Sequence, residues 1–402
     1  MSRGVGQGAL VVDLALFLHA LGWSGAAIGG VLGGGVLLGA LLNITVGVLS
    51  DRLRRKPFIL FYETLTIGCA LAAFFARHPA LLAGAVVAAG FGRGPGGGAG
   101  PFSSAEQAWL AEGIAPENRG WIYSLNAGLG FFGMALGGLA AGLPHFWVSA
   151  LGKAGSFRPL FLLVAAGSLL DIILLAGAEE RYNPLGKTRR VPEHRGATPD
   201  ARGPAPVAPK KGGKDHILWK LVGLNAFNGL AIGLTSPLIS YWFALKFHVG
   251  PAAIGPVLAG TFALTGLASL FAGRMTRIIG VVNSVVWGRG AGVGLLILLP
   301  LMPVYILAAL VYLLRSAVNR GTAGARQAMV ISIVDEDQRG LAVSLNAASM
   351  QVPQAAGPAV AGALIGAGYF SLPFYFAAGL QTLYIVFYAR VFRPYDTGGR
   401  KR

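Results

Sequence analysis

Long apolar runs separated by short polar stretches make up most of the chain. A bilayer core takes about 20 apolar residues per helix, and twelve runs of roughly that length can be marked out. They cover 4–22, 26–48, 57–76, 80–101, 120–143, 159–178, 217–244, 251–272, 280–299, 303–324, 341–366 and 372–391. The pattern predicts an all-α membrane protein with twelve transmembrane helices. The first run begins almost at Met1 and leads straight into the second, which argues against a cleavable leader. The fourth and tenth runs are the least regular, because their Gly-rich stretches continue into mixed segments.

The polar stretch from Glu179 to Lys214 is different in kind. It holds nine Lys or Arg, four Asp or Glu and many Pro and Gly, so it cannot bury a core and reads as a linker. It divides the runs six and six, predicting an N-terminal bundle over 1–178, a basic linker over 179–215 and a C-terminal bundle over 216–402. The two halves also resemble each other. At a constant offset of 220, Gln107, Ala108, Arg119, Gly120, Ser124, Leu125, Asn126 and Ala127 recur within residues 326–347. A gap-free match of this kind points to an internal duplication, and two six-helix halves related by an axis along the membrane normal is one transporter architecture.

Composition agrees with the pattern. The 402 residues are 54% hydrophobic and 12% charged, about half the charged share of a soluble chain. Net charge is +17, yet 22 of the 33 Lys and Arg fall in loops of one side. On the other side only Arg77, Lys153, Arg158 and Lys246 do so. This asymmetry is the positive-inside pattern. It places the chain in the cytoplasmic membrane with both termini cytoplasmic, and it argues against nucleic acid as a partner. The only cysteine, Cys69, lies in an apolar run, which leaves no disulfide framework. His19, His145 and His248 form no ligand pattern, so no metal is expected. Gly92, Gly94 and Gly97 fit a dinucleotide fingerprint in spacing alone. The strand that motif needs is missing, and no cofactor is expected.

Ionisable groups inside membrane spans are costly and are functional candidates by default. Among them are Asp13, Glu63, Arg93, Asp171, Arg289, Arg315 and Arg320. A buried carboxylate can take up and release a proton, which makes Asp13, Glu63 and Asp171 the proton-coupling candidates, with Arg93 as their partner. Asn225, Asn228, Gln381 and Tyr384 are polar groups within spans and are expected to face protein rather than lipid, as cavity candidates. Trp121, Tyr123, Tyr241, Trp242 and Trp287 fit membrane-interface anchors.

The most charged stretch lies between the second and third runs. Gly47, Asp51, Arg52, Arg55 and Lys56 match the loop Gly-x-x-x-Asp-Arg-x-Gly-Arg-Lys, with Arg54 at the second glycine. On these residues the chain resembles the major facilitator superfamily over its whole length, and it is closest in look to its drug/proton antiporter members. A second copy of the loop starts at Gly273, with Arg277 where the acid belongs. Arg93 and Gly97 are similar to the family's helix-four motif. Gly133 to Gly138 is similar to the helix-five antiporter motif without its proline, and Gly357 to Gly362 is closer to it but lies in the other half.

The resemblance implies two pseudo-symmetric bundles rocking around a central cavity, and secondary transport of a small molecule. Helix one of the family lines that cavity, which puts Asp13 first among the proton carriers. The loop of Gly47, Asp51, Arg52, Arg55 and Lys56 is then a cytoplasmic gate. Its basic residues also serve as a topology anchor. Glu106, Glu112 and Arg119, with Arg326 and Arg339, are open to two readings: salt bridges between the halves, or ordinary surface pairs. The leading functional expectation is a monomeric, proton-coupled exporter of an amphipathic compound. Proton-coupled uptake of a metabolite or sugar is the alternative. No paired acids or nucleophile constellation supports a membrane enzyme.

Overall fold

The computed structural model describes residues 1–50, 55–93, 119–177, 214–279, 281–320 and 339–392, together with residues 102, 106, 109, 110 and 114. Among these residues the regular structure is helical. The first half contains α1 (Ser2–Ala20), α2 (Gly25–Ser50), α3 (Arg55–Phe75), α4 (Pro79–Ala89), α5 (Arg119–Ala140), α6 (Pro144–Gly155) and α7 (Pro159–Ala176). The second half contains α8 (Lys214–Thr235), α9 (Ile239–Phe247), α10 (Pro251–Ile279), α11 (Val281–Leu298), α12 (Tyr305–Arg320), α13 (Arg339–Gly366) and α14 (Leu372–Phe392). Each of the twelve apolar runs holds a helix. Among the described residues six helices are long and apolar enough to cross a membrane, and the bent pair α8–α9 makes a seventh.

The departures from the predicted spans have local causes. Within the run 80–101, α4 ends at Ala89, because Gly90 takes a left-handed φ of 64°. Phe91 N–H then reaches back to the Val86 carbonyl at 3.1 Å, a helix stop that favours glycine. The run 217–244 bends by 41° between α8 and α9, at Ser236 and Pro237, where proline cannot continue the hydrogen-bond ladder. The short α6, begun by Pro144, was not anticipated in the connection that follows the fifth run.

α1 packs against α5 and α7, and α3 against α4 and α7. In the second half α8 packs against α13 and α14, and α11 against α12 and α14. The halves meet along two seams, α2 with α13 and α5 with α10. The sequence repeat explains the pairing of seams: α5 begins at Arg119 and α13 at Arg339, the same offset of 220. α1 is buried from Gly6 through Leu18, as expected of a helix with protein on every side. Large apolar side chains such as Phe75, Leu174, Trp287 and Ile306 are exposed instead, in keeping with a surface that meets lipid.

Small residues set the distance across the seams. Gly25, Gly29 and Gly33 of α2 lie against backbone at Gly362, Pro358 and Ala355 of α13, and a Cβ on any of the three would strike a carbonyl oxygen. In the other seam Gly138 of α5 abuts Ala259 and Gly255 of α10. The Gly133–Gly138 and Gly357–Gly362 runs are therefore packing surfaces here, as in close helix pairs generally. Gly137 meets Val5 and Ala9, and Gly357 meets Gly233, within their own bundles. These described inter-bundle contacts gather toward the end of the molecule where the chain turns at residues 21–24, 248–250 and 367–371. At the same end His19 and Tyr241 make an edge-on ring contact at 5.3 Å. Deeper in, Ser240 Oγ donates to the Val11 carbonyl at 3.1 Å.

Candidate functional site

The first turn of α1 places Ser2 and Arg3 among polar groups of α3, α7 and the segment before α5. Arg3 donates through Nε to Glu63 at 2.8 Å and through Nη1 to Glu106 at 2.6 Å. Its Nη2 pairs with Glu63 as well. The guanidinium also lies 5.6 Å from the Tyr62 ring centre. Ser2 Oγ donates to Asp171. Glu63 is completely buried, and the buried Ser168 hydroxyl of α7 lies beside it. Two carboxylates, Glu63 and Glu106, thus share one guanidinium, and a third, Asp171, is held by the neighbouring Ser2. A buried acid left without its cation is strongly destabilising, so Arg3 fixes where Glu63 can carry charge.

Arg93 joins this network through Tyr62. Its Nη2 donates to the Tyr62 hydroxyl at 2.8 Å and to the Ala89 carbonyl at 3.2 Å, and its Nε donates to the Gly90 carbonyl at 2.8 Å. The guanidinium thereby takes up carbonyls left over at the end of α4. The Tyr62 hydroxyl in turn donates to Ala89 at 3.1 Å. Glu63, Arg93 and Asp171, far apart in sequence, are brought into one region. Arg3, which joins Glu63 directly and borders Tyr62, was missed because it sits just outside the first apolar run.

Asp13 stands apart from that network. It lies ten residues beyond Arg3 on α1, about 15 Å along the axis, and is only 1% exposed. Neither carboxylate oxygen meets a donor among the described residues. Helical spacing puts Asp13 on the face that carries Gly6, against Val164, and Phe17, 5.8 Å from the Phe161 ring. That face packs on α7.

The second bundle has its own polar cluster. Arg289 of α11 donates through Nη1 to Asn228 Oδ1 of α8 and stands 5.1 Å over the Tyr384 ring of α14. Asn228 Nδ2 contacts the Met350 sulfur at 3.5 Å, and Asn225 Nδ2 donates to Ser349 Oγ at 3.1 Å. Tyr384 packs on Tyr388, with ring centres 5.5 Å apart. Gln381 is buried, one turn before Tyr384, with its amide oxygen unpartnered among the described residues. Arg289 thus links Asn228 and Tyr384, and the three-residue spacings keep Asn225 and Gln381 on the same faces.

The loop motif is described only in part. Asp51 and Arg52 lie outside the described residues, as do Glu112 and Arg326. Gly47 is within α2, and Arg55 opens α3. Lys56 Nζ donates to the Ala176 carbonyl at the end of α7, at 3.0 Å. The degenerate second copy, Gly273 to Arg277, continues as helix within α10. Glu106 pairs with Arg3 of its own half in this conformation. Tyr241 and Trp242 are fully buried rather than interfacial, Trp242 packing on Phe243, Phe247 and Phe374. Trp287 is exposed.

Two helical halves with buried charge in each and an apolar exterior define a multi-pass membrane protein. Its sequence matches the family profile of the Major Facilitator Superfamily over residues 1–226 and 221–402. The chain belongs to that superfamily and is a membrane transporter rather than an enzyme. Solved structures share the fold at low identity. The nucleoside transporter NupG is 12% identical, with a TM-score of 0.70 and 97% of each chain covered. A bacterial homolog of the human lysosomal transporter Spinster, inward-facing, is 14% identical, with a TM-score of 0.68 over 98% of this chain and 95% of that one. A D-xylose-proton symporter is 14% identical, with a TM-score of 0.67 over 96% and 94%. No curated protein sequence matches the chain at a significant level.

Proposed function

We propose that the protein exports an amphipathic small molecule in exchange for protons, by alternating access between its two bundles. One observation carries the reading: Asp13 is buried at the heart of α1 with neither oxygen partnered among the described residues. An ionised carboxylate so placed costs several kcal/mol. Charge on Asp13 therefore suits a state opened to water and not the enclosed one, which ties proton transfer to conformation. Glu63 and Asp171, held at Arg3 and Ser2, form a second acidic station, and Arg93 couples to it through Tyr62. Asn225, Asn228, Gln381 and Tyr384 offer the polar contacts of a substrate path.

In this reading the linker 179–215 and both termini are cytoplasmic, since the basic loops lie at that side. The seams close the opposite, outer side. The loop with Gly47, Asp51, Arg52, Arg55 and Lys56 serves as the cytoplasmic gate, closing in the alternate state, and the working unit is one chain in the cytoplasmic membrane. A structural relative named as a D-xylose-proton symporter supports proton coupling within this fold. The buried amides Asn225, Asn228 and Gln381 favour the rival reading, uptake of a polar metabolite.

Proteoliposomes with an imposed pH gradient and a lumenal pH dye test the proposal. Adding amphipathic solutes should release the gradient through the wild-type protein, and Asp13→Asn should remove the dependence on the gradient. Transport by Asp13→Asn with the gradient dependence unchanged would sink the assignment. A response to sugars in place of amphipathic solutes would favour uptake.

A further inference from the structure

Among the described residues the fully buried charged groups of the two bundles have opposite sign, acids in the first and arginines in the second. Asp13, Glu63 and Asp171 all belong to the first half. In the second half the chain holds only three acids between Asp215 and Asp396, namely Asp335, Glu336 and Asp337, consecutive between the tenth and eleventh apolar runs. None of its apolar runs contains an acid. Yet two arginines are buried there, Arg289 at 4% and Arg315 at 6% exposure. A guanidinium does not give up its proton in a protein, so these charges are permanent.

Arg315 is the exception among the buried and half-buried arginines. Arg3 has two carboxylates, Arg93 has two carbonyls and a phenol, and Arg289 has an amide and a ring. Arg158 donates to the Phe74 and Ala76 carbonyls at 2.6 and 2.7 Å. Arg315 makes no hydrogen bond or ion pair among the described residues, and its Nε is buried without an acceptor. Among the described residues, the phenol of Tyr312, one turn earlier, is the group that acts on it electrostatically. A buried cation of this kind is strongly unfavourable unless an anion is supplied.

The surroundings indicate where an anion would enter. Asn319, one turn after Arg315 on α12, stands against Gly292 of α11, where a Cβ would strike the amide. Arg289 is one turn before Gly292. Asn319 therefore lies in the α11–α12 seam on the same face of α12 as Arg315, and Arg289 stands one turn along α11 from that contact. Tyr312 and Phe243, in edge contact at 5.8 Å, give that region an apolar wall.

We propose that Arg315 binds the carboxylate of an organic anion, with Asn319 as a second polar contact and Arg289 adding positive potential. The guanidinium fork matches a carboxylate in two parallel hydrogen bonds, and the aromatic wall takes an apolar body better than a hydrated inorganic ion. This deepens the transport reading, on which it rests for its purpose: the exported amphipathic compound is an acid.

The test uses the full chain in lipid nanodiscs, with benzoate as probe, benzamide as its neutral counterpart, and potassium chloride holding ionic strength constant. Benzoate should raise the thermal midpoint by several degrees and benzamide should not, since a ligand that binds only the folded state stabilises it. Arg315→Gln should abolish the shift and should leave the unliganded midpoint equal to or above wild type, because it removes an unpartnered charge. Arg315→Lys should keep a weaker response. The proposal is overturned if benzamide stabilises as well as benzoate, if Arg315→Gln still responds, if benzoate has no effect up to its solubility, or if Arg315→Gln lowers the unliganded midpoint. The two readings fail separately. Loss of gradient-driven transport with benzoate binding intact would sink proton coupling alone, and the reverse would sink only the anion site.

Discussion

The polar clusters of the two bundles occupy equivalent places and are built from different chemistry. Glu63 lies eight residues after Arg55, where α3 begins, and Arg289 lies eight residues after Val281, where α11 begins. Each reaches the first helix of its half, Glu63 to Arg3 on α1 and Arg289 to Asn228 on α8. Each also approaches the last helix of its half, at Ser168 and Asp171 on α7 or at Tyr384 on α14. The duplicated geometry is kept while the sign of the charge is reversed. The first bundle is held by an ion pair between charged side chains. The second holds a cation with an amide and an aromatic face. The halves should therefore answer very differently to the loss of a single partner.

The largest effect is expected at Arg3. Arg3→Met leaves Glu63 buried without its cation and should cost about 3–5 kcal/mol, read as a fall in the unfolding midpoint of the detergent-solubilised protein. Adding Glu63→Gln to the same chain should recover most of the loss. A single variant as stable as wild type would show that the pair does not hold the first bundle. The matching change in the second bundle is smaller. Asn228→Ala removes one neutral acceptor from Arg289 and should cost about 1–3 kcal/mol, and a loss as large as that of Arg3→Met would erase the contrast. The smallest effect is expected at Arg277, where the second loop copy continues as helix. Arg277→Gln should leave transport rates near wild type, while Asp51→Asn slows them strongly with membrane insertion unchanged in both. Equal effects would mean that the two loops contribute alike.

Much of this was legible in the sequence, for identifiable reasons. Apolar runs about as long as a bilayer is thick can only be spans, so all twelve positions were marked. The repeat at offset 220 fell on the starts of α5 and α13, because the same Arg-Gly pair begins both helices. Polar residues inside apolar runs, such as Asn225, Asn228, Gln381 and Tyr384, were expected to face protein, and all four are buried. What escaped was pairing across distance. Arg3 and Glu63 are 60 residues apart, and no local pattern tells a flanking arginine from one that reaches into the bundle. The stop at Gly90 was hidden in a run whose many glycines could equally have continued the helix. Tyr241 and Trp242 were read as interfacial from their place near a span end. The bend at Pro237 turns that end into an aromatic core instead.

The α2–α13 seam has a mechanical consequence. Where Gly25, Gly29 and Gly33 meet Gly362, Pro358 and Ala355, main chain rests directly on main chain. Interlocked side chains must be withdrawn and re-seated before two helices can part, and each step adds a rotamer barrier. Smooth faces have no such teeth. They can tilt about their line of contact, giving up dispersion contacts gradually rather than in jumps, each worth only about 0.1–0.2 kcal/mol per atom pair. At these three contacts the joint has no interlocked side chains to withdraw, so they add little to the grip that selects one conformation over the other.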